Sequence, residues 1–346
     1  MNEVYIYGAG AFGRLMHPIL SERKVSVLAF IDRAARSGQT LLGLPVLNPN
    51  DASISANANV MICITLTPQA YKDLYSELHS LHVGWQISDG QIVVAKRIKF
   101  DKFNYAGDWS DPLVNTRKAN ARNLLRDDYS RTVFDNIISA HRIRDYENYD
   151  CSEKSPQYLI TNVPNVYSDV IDCGSYIGDT LEQILHYSGT INAYVGFEPE
   201  IELFNRLVKT ADNNKNKVNQ AILFPCAVGN RGEMKHIDGA FGAGTVGNTG
   251  TAIQVVKLDD VLPKFAPTFI KMDIEGSEIE AICGAERLIR AYKPALAVCV
   301  YHYISDIWEI PLLLHEFNPD YSFNLDTHST ATMETVLYAV DKEAIK

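Results

Sequence analysis

Short apolar runs along this chain are each followed by a turn and then by a segment with the residue spacing of a helix. Val170 and Ile171 form such a run, which stops at Asp172 and leads into the turn Cys173-Gly174-Ser175. Beyond that turn, apolar side chains recur at helical intervals, at Ile177, Leu181, Ile184 and Leu185. A buried strand, a glycine turn and an amphipathic helix in this order are typical of an α/β fold with a parallel sheet.

The same pattern repeats through the C-terminal half of the chain. Further strands are predicted at Ala193–Phe197, Ala221–Pro225, Phe269–Met272, Leu296–Val300, Tyr321–Leu325 and Thr335–Val340. In an open α/β sheet, ligands bind beyond the carboxyl ends of the parallel strands. We therefore expect one edge of the sheet to carry the residues that follow its first strands, namely Asp172, Glu198, Ala227, Asp273 and His302.

A separate α/β pattern occupies the N-terminus. Val4–Tyr7 and Val25–Ile31 are predicted strands, with a helix through about Glu22 between them. The segment contains a G-x-G-x-x-G sequence and an acidic residue after the second strand, carried by Gly8, Gly10, Gly13 and Asp32. Such glycines allow a tight turn, the approach of a pyrophosphate and close helix packing, and the acid accepts from ribose hydroxyls. The pattern predicts a Rossmann-type unit.

Other features of this unit argue against a working dinucleotide enzyme. Pro18 is expected to interrupt the helix, because proline lacks an N–H group and clashes with the preceding turn. Only about three strands are visible, the third being Val60–Thr65, and no catalytic partner for hydride transfer is recognisable nearby. The unit is interpreted either as a nucleotide site or as a module kept for packing or dimerisation.

These patterns divide the chain into three parts. The predicted parts are a nucleotide-binding unit over 1–95, a helical connector over 96–165 and a larger unit over 166–346. The predicted fold class is therefore α/β with two Rossmann-like domains.

Two helices are predicted in the connector, at Arg117–Leu125 and Ser130–Arg142, with Asp128 or Ser130 as an N-cap. They are interpreted as a clamp between domains, as the surface of a homodimer or as a lid over a pocket. The sequence does not choose between these roles.

Composition is that of an ordinary globular protein, with 46% hydrophobic and 21% charged residues. A formal net charge of −10 argues against non-specific binding to nucleic acid, which requires Lys and Arg against phosphates. No apolar run approaches the length of a membrane span, and no signal peptide is predicted. The 6 cysteines form no Cys-x-x-Cys pair and are interpreted as free thiols of a cytoplasmic protein.

The segment FIDRAARSGQTLLGLPVL resembles the N-terminal domains of sugar acyltransferases and related sugar-modifying proteins. In those domains the comparable strand, aspartate and loop help to bind a nucleotide-sugar. The resemblance covers roughly residues 1–65 and implies a binding role for Gly8, Gly10, Gly13 and Asp32.

Four segments of the larger unit together resemble the FkbM family of O-methyltransferases. They are DCGSYIGDT, FEPE, VVKLDDVLP and IKMDIEGSEIEAICGAERLI, within about residues 166–340. The order of strands, with a final pair after the fifth, is similar to that of class I methyltransferases. The resemblance implies a seven-stranded sheet, S-adenosylmethionine as cofactor, and the hydroxyl of a sugar or other small molecule as acceptor.

The resemblance also implies which residues bind the cofactor. These are Asp172, Gly174, Ser175, Tyr176, Gly178, Glu198, Pro199, Ala227, Val228 and Asp273. The glycine turn would shape the methionine side of the pocket, Glu198 would bind the ribose, and Ala227 and Val228 would face adenine.

Asp273, Glu275 and His302 would face the transferred methyl group. A hydroxyl acceptor needs a general base, and His302 is the first candidate because an unperturbed imidazole has a pKa near neutral. Asp273 is the second candidate. Alternatively, His302 orders Tyr301 and Tyr303, and Asp273 with Glu275 holds a divalent ion, although no metal is assigned.

The edge is expected to be lined by carboxylates and to lack Lys and Arg, which suits a sulfonium cation, and Lys271 is given no role. Gly242–Gly247 also fits G-x-G-x-x-G, but no helical pattern follows it, so it is interpreted as a loop between strands. Two other functions stay open: an NAD-dependent oxidoreductase run by the N-terminal unit, and a non-catalytic nucleotide-sugar-binding protein.

Overall fold

A computed structural model describes residues 3–66, 68–92, 107–146, 155–238, 245–247 and 250–345. The described residues form two compact units. The first unit draws on the ranges 1–98, 143–153 and 328–333, and the second on 99–142, 154–327 and 334–346. Among the described residues, none of the helices combines the length and apolar character that crossing a membrane requires.

The first unit is built on a six-stranded sheet. Its strands are β1 (Glu3–Tyr7), β2 (Ser26–Ile31), β3 (Thr40–Leu41), β4 (Leu44–Leu47), β5 (Asn59–Ile62) and β6 (Gln86–Asp89). Their order is β3-β4-β2-β1-β5-β6, and only β3 runs antiparallel to its neighbour. The prediction of about three strands was wrong, because β3, β4 and β6 are too short or too polar to stand out.

Two helices accompany this sheet, α1 (Ala11–Glu22) and α2 (Pro68–Leu81). The expected interruption at Pro18 does not occur, since α1 continues through Pro18 to its predicted end. Proline removes one backbone hydrogen bond, but Met16 and Leu20 on either side are buried. Burial of this apolar face therefore outweighs the lost bond.

The glycines after β1 differ in how tightly they are packed. A Cβ on Gly13 would overlap the carbonyl oxygen of Gly8, whereas a Cβ on Gly10 would have no heavy atom within 4 Å. Gly8 has a φ of +114°, which favours glycine. Only Gly10 therefore has room for a side chain.

Gly13→Ala is expected to destabilise the first unit by about 3 kcal/mol, because helix α1 must move away from the turn after β1. Gly10→Ala is the matched control and should change stability by less than about 0.5 kcal/mol. Thermal unfolding of both variants checks this, and equal midpoints for the two would contradict the packing role of Gly13.

The second unit contains a seven-stranded sheet. Its strands are β7 (Asp169–Cys173), β8 (Ile191–Phe197), β9 (Val218–Phe224), β14 (Phe269–Met272), β15 (Ala295–Cys299), β16 (Tyr321–Thr327) and β17 (Thr335–Asp341). The order is β16-β17-β15-β14-β7-β8-β9, with β17 antiparallel to both neighbours and the other pairs parallel. The predicted α/β fold class with its seven-stranded C-terminal sheet is confirmed.

Most helices of this unit follow the parallel strands. They are α5 (Asp179–Ser188), α6 (Ile201–Asn213), α7 (Leu258–Val261), α8 (Glu278–Gly284), α9 (Glu286–Tyr292) and α10 (Asp306–Phe317). The chain order reverses between β7 and β14, which lie side by side. This switch point is where open α/β sheets bind ligands.

The helices predicted in the connector are α3 (Pro112–Leu124) and α4 (Asp128–Ile143). Neither predicted cap is right: the carboxylate of Asp127 accepts from the backbone N–H of Ser130 and caps α4. The turn between the helices pairs with edge strand β16, since Arg126 N donates to Phe323 O at 2.8 Å. This pairing protects the edge of the sheet.

A smaller sheet lies between β9 and β14 in the chain. Its strands are β10 (Ala227–Gly229), β11 (Glu233–Asp238), β12 (Thr245–Gly247) and β13 (Thr251–Lys257), in the order β10-β13-β11-β12. The end of the glycine-rich segment is thus a strand, and residues 242–244 lie outside the described residues. The cysteines of the described residues are free thiols.

Candidate functional site

The carboxyl ends of β7 and β14 are in direct contact at the switch point. Asp273 N donates to the carbonyl oxygen of Cys173 at 3.0 Å. Gly174 has a φ of +82°, and a Cβ there would overlap the carbonyl oxygen of Asp273. A side chain at position 174 would push the two strand ends apart, so Gly174 sets their spacing.

Asp172 lies within β7 and has no exposed surface. Its Oδ2 accepts from the hydroxyl of Tyr194 at 2.7 Å, and its Oδ1 lies 3.2 Å from Nζ of Lys271. The carboxylate is therefore held by neighbouring strands of the sheet, below the edge at which it was expected to line a pocket.

Lys271 lies on β14 opposite Asp172 and is also buried, so this basic residue lies within the sheet and not at its edge. Its Nζ donates to the carbonyl oxygen of Gly174 at 2.7 Å and so supports the turn after β7. Burial disfavours the ammonium, but the carboxylates of Asp172 and Asp273 raise the pKa of Lys271 above its usual value. The buried ion pair of Lys271 and Asp172 therefore lies directly beneath the turn that carries the site.

Glu198 follows β8 and accepts two backbone hydrogen bonds. Tyr176 N donates to Oε2 at 3.0 Å and Glu200 N donates to Oε1 at 2.8 Å. Burial raises the pKa of Glu198 to about 7, while the two backbone N–H groups act in the opposite direction. The carboxylate is thus fixed at the edge of the sheet, next to the turn after β7.

The other predicted cofactor residues have varied surroundings. Ser175 is buried, and its Oγ donates to the carbonyl oxygen of Asp172 and accepts from Phe197 N. Gly178 is the left-handed N-cap of α5, with a φ of 89°. Pro199 lies between Glu198 and the start of α6 and is partly exposed.

Ala227 and Val228 do not directly follow β9 at the edge of the large sheet. They begin β10 and pair with β13 in the smaller sheet. Ala227 thus lies three residues beyond the end of β9, and its predicted place facing adenine stays a prediction.

Asp273, directly after β14, is partly exposed and lies near two phenolic hydroxyls. Tyr158 donates to Oδ2 at 3.4 Å and Tyr301 donates to Oδ1 at 3.3 Å. Burial raises the pKa of both tyrosines well above the usual value, so both stay protonated as donors. The side chain of Asp273 is 24% exposed. It can therefore reach a ligand bound beyond the carboxyl ends of β7 and β14, a region called the mouth below.

His302 lies three residues beyond β15 with its side chain only 5% exposed. Its Nδ1 is 2.9 Å from Oε1 of Glu278, and its Nε2 is 3.5 Å from Asp273 and 3.7 Å from Glu275. Burial alone would lower the pKa of His302, but these carboxylates raise it to about 10. The near-neutral pKa on which the choice of His302 as base rested is therefore absent.

The backbone after β14 adopts unusual conformations. Glu275 has a φ of 58° and Gly276 a φ of 96°. A Cβ on Gly276 would lie 2.5 Å from the ring of Tyr303. Left-handed non-glycine residues are often found at functional sites, where surrounding structure holds them in place. This turn directs Glu275 toward His302.

Sequence reasoning missed several residues that surround Asp273 and His302. Glu334 is one of them: its carboxylate accepts from Gln157 Nε2 at 3.0 Å and from the hydroxyl of Tyr301 at 3.4 Å. Burial raises the pKa of Glu334 to about 7. Only Lys271 carried a usable signal, as a charge inside the apolar strand Phe269–Met272.

A separate cavity of about 490 Å³ lies in the first unit. Tyr7, Asp32, Arg33 and Glu77 are among its lining residues. Asp32 accepts from Ala9 N at 3.2 Å and from Ala34 N at 2.9 Å, so it is already bound to the backbone around the glycine turn.

Residues 172–325 match the family model described as the methyltransferase FkbM domain. Comparison with curated protein sequences finds no match. Among solved structures, the chain is similar to an FkbM methyltransferase from Methylobacillus flagellatus KT, at 24% identity and a TM-score of 0.60. The alignment covers 98% of this chain and 90% of that one, which supports the fold.

Two other solved structures are much less similar. Aeropyrum pernix fibrillarin with natively bound S-adenosyl-L-methionine is 10% identical, at a TM-score of 0.33 over 50% of this chain and 66% of that one. A Geobacter sulfurreducens methyltransferase is 13% identical, at a TM-score of 0.31 over 68% and 90%. Methyl transfer by the second unit is supported by the family model, whose match runs from Asp172 in β7 to Leu325 in β16.

Proposed function

We propose that this protein is an S-adenosylmethionine-dependent O-methyltransferase acting on a hydroxyl of a sugar or glycan precursor. The observation that carries the proposal is the pair of carboxylates at the switch point. Glu198 is fixed by two backbone N–H groups beyond β8, and Asp273 is partly exposed beyond β14. The match to the FkbM family model supports methyl transfer.

The chemistry of these residues fits an adenosyl cofactor. Each oxygen of Glu198 uses one lone pair on a backbone N–H group, which leaves acceptor capacity for ribose hydroxyls. Asp273 and Glu275 bring negative charge to the mouth, which favours a cationic sulfonium. When bound, S-adenosylmethionine supplies an electrophilic methyl group on that sulfonium.

Geometry favours Asp273 over His302 as the group that receives the proton of the acceptor hydroxyl. The side chain of Asp273 is 24% exposed at the mouth, whereas both ring nitrogens of His302 face carboxylates and its side chain is 5% exposed. A base must lie within hydrogen-bond reach of the proton it removes. His302 would instead balance the charge of the surrounding carboxylates.

The identity of the acceptor as a sugar is the more specific part of the proposal, beyond methyl transfer itself. It is supported by the resemblance of the first unit to sugar-modifying proteins and by the carboxylates of Asp32 and Glu77 in its cavity. Carboxylates accept hydrogen bonds from vicinal hydroxyls, such as those of a ribose or another sugar. A nucleotide-sugar bound by this unit would be a partner of the reaction.

Calorimetric titration with S-adenosylhomocysteine tests the proposal, with NAD and UDP-sugars as parallel titrants. We expect micromolar affinity, weakened about 100-fold by Glu198→Ala, because two hydrogen bonds to a charged group contribute about 3 kcal/mol. Glu202→Ala, at an exposed position of α6, is the control and should bind like wild type. NAD binding without adenosyl binding would overturn the assignment in favour of an oxidoreductase.

A further inference from the structure

Helices α3 and α4 enclose a cavity of about 280 Å³, and the described residues that line it all lie on these two helices, within the second unit. From α3 the lining includes Lys118 and Arg122, and from α4 it includes Phe134, Ile138 and Arg142. Residues four positions apart share one face of a helix. Each helix therefore turns a single face toward the cavity.

Cationic side chains outnumber carboxylates in this cavity. Among the described residues that line it, Lys118, Arg122 and Arg142 stand against the carboxylate of Asp135. Asp135 is already bound to Arg122, whose Nε and Nη2 each donate to it at 2.8 Å. Lys118 and Arg142, called the unpaired cations below, are left without a carboxylate in a chain whose formal net charge is −10.

The unpaired cations lie close to each other. Burial lowers the pKa of Lys118, and the guanidinium of Arg142 lowers it further. Nζ of Lys118 lies over the rings of Trp109 and Trp308, which carry no negative charge to offset this repulsion. Within the described part of the chain, no carboxylate contacts either cation. Two positive charges held together in a cavity favour the binding of an anion.

We propose that this cavity binds the phosphoryl group of a small phosphorylated sugar through Lys118, Arg122 and Arg142. A phosphate monoester carries a charge of about −1.5 to −2 at pH 7, which balances the unpaired cations. A guanidinium offers paired donors to phosphate oxygens, and an ammonium offers a point charge. A carboxylate ligand, with one negative charge, would balance only one of the two.

The volume and the remaining lining of the cavity indicate the rest of the ligand. A cavity of this size lies near the lower end of the roughly 300–1,000 Å³ of ligand pockets, so it fits a monosaccharide phosphate better than a nucleotide-sugar. Ala119, Phe134 and Ile138 supply apolar surface. Asn115 and Ser139 supply neutral hydrogen-bonding groups, which suit sugar hydroxyls. This ligand is inferred from the cavity alone and does not rest on the proposed function.

Calorimetric titration of the full-length protein with glucose 1-phosphate tests the site, with inorganic phosphate, sulfate and glucose as parallel titrants. We expect one glucose 1-phosphate per chain, weaker binding of inorganic phosphate and no binding of glucose. Sulfate binding as tight as that of glucose 1-phosphate would reduce the cavity to a non-specific anion patch and so overturn the proposal.

Arg142→Gln and Lys118→Met should each weaken the binding of glucose 1-phosphate roughly 10- to 100-fold, because each removes a charged donor to the phosphate. Arg126→Gln is the matched control, since this exposed arginine lies between α3 and α4 but outside the cavity lining. It should bind like wild type. Ala119→Phe, at an exposed position of α3, keeps every charge but fills the cavity, and should abolish binding.

Three results would contradict the site: no binding of glucose 1-phosphate to the wild-type chain, equal weakening by Arg126→Gln and Arg142→Gln, or unchanged binding by Ala119→Phe. Thermal unfolding of each variant establishes that it is folded. All of them should bind S-adenosylhomocysteine like wild type, because none changes a residue at the switch point. Binding of glucose 1-phosphate without adenosyl binding supports this site and rejects the proposed function.

Discussion

Lys271→Met is expected to lower the free energy of unfolding of the second unit by about 3–5 kcal/mol. Methionine fills a similar volume, so the loss comes from electrostatics and not from a cavity. Without the ammonium, Asp172 is a buried carboxylate that, within the described part of the chain, keeps the Tyr194 hydroxyl as its one donor. The carbonyl of Gly174 loses the Lys271 donor as well. Urea denaturation measures the change.

The double variant Asp172→Asn with Lys271→Met should be more stable than the single Lys271 variant, because it removes both charges together. Lys215→Met breaks the exposed pair with Asp212, whose side chains are both 69% exposed, and should cost less than about 0.5 kcal/mol. A cost for Lys271→Met as small as that of the control would show that the buried pair does not hold β7 and β14 together.

The sheet of the second unit could be predicted because its parallel strands, apart from edge strand β9, are buried on both faces. Phe269–Met272 was predicted with its observed bounds, and the other strands were located within a few residues. Near-continuous apolar runs such as these have few alternative structures. The glycine turn after β7 could be predicted equally well, because a short strand that ends in glycine and leads into a helix has a clear sequence pattern.

Contacts within the site could not be read in this way. Tyr158 lies far from Asp273 in sequence and comes from a segment without periodicity, yet its hydroxyl reaches that carboxylate. His302 was singled out from the sequence as a candidate base, but its pKa depends on Glu275 and Glu278 across a folded turn. A side chain's type is visible in the sequence, whereas the neighbours that set its charge are not.

The first unit shows the opposite limitation, that of weak local signals. Strands β3 and β6 hold two and four residues, with exposed or polar positions, and pair only because the sheet is already formed. Propensity likewise failed at Pro18, where burial of the helix face overrides it. Tertiary contacts therefore decide whether these short strands form and whether α1 continues through Pro18.

Asp273→Asn is expected to lower kcat about 1000-fold, within the range of 10²–10⁴ that general bases contribute. The amide keeps the size of the side chain and, through its single oxygen, one of the hydrogen bonds donated by Tyr158 and Tyr301. It cannot take up the acceptor's proton. Radiolabelled methyl transfer to the acceptor found in a sugar screen provides the rate. Affinity for neutral S-adenosylhomocysteine should change by less than about threefold, because that ligand carries no sulfonium charge.

Tyr158→Phe separates the charge of Asp273 from its hydrogen bonds. This variant keeps the carboxylate and removes a 3.4 Å donor to Oδ2, so kcat should fall less than about tenfold. S-adenosylmethionine, which is cationic, should bind Asp273→Asn more weakly than it binds Tyr158→Phe, because only the first variant removes negative charge from the mouth. If Asp273→Asn kept more than a tenth of wild-type turnover, the proton would have to leave by another group, and Glu275 would be the next carboxylate at that mouth.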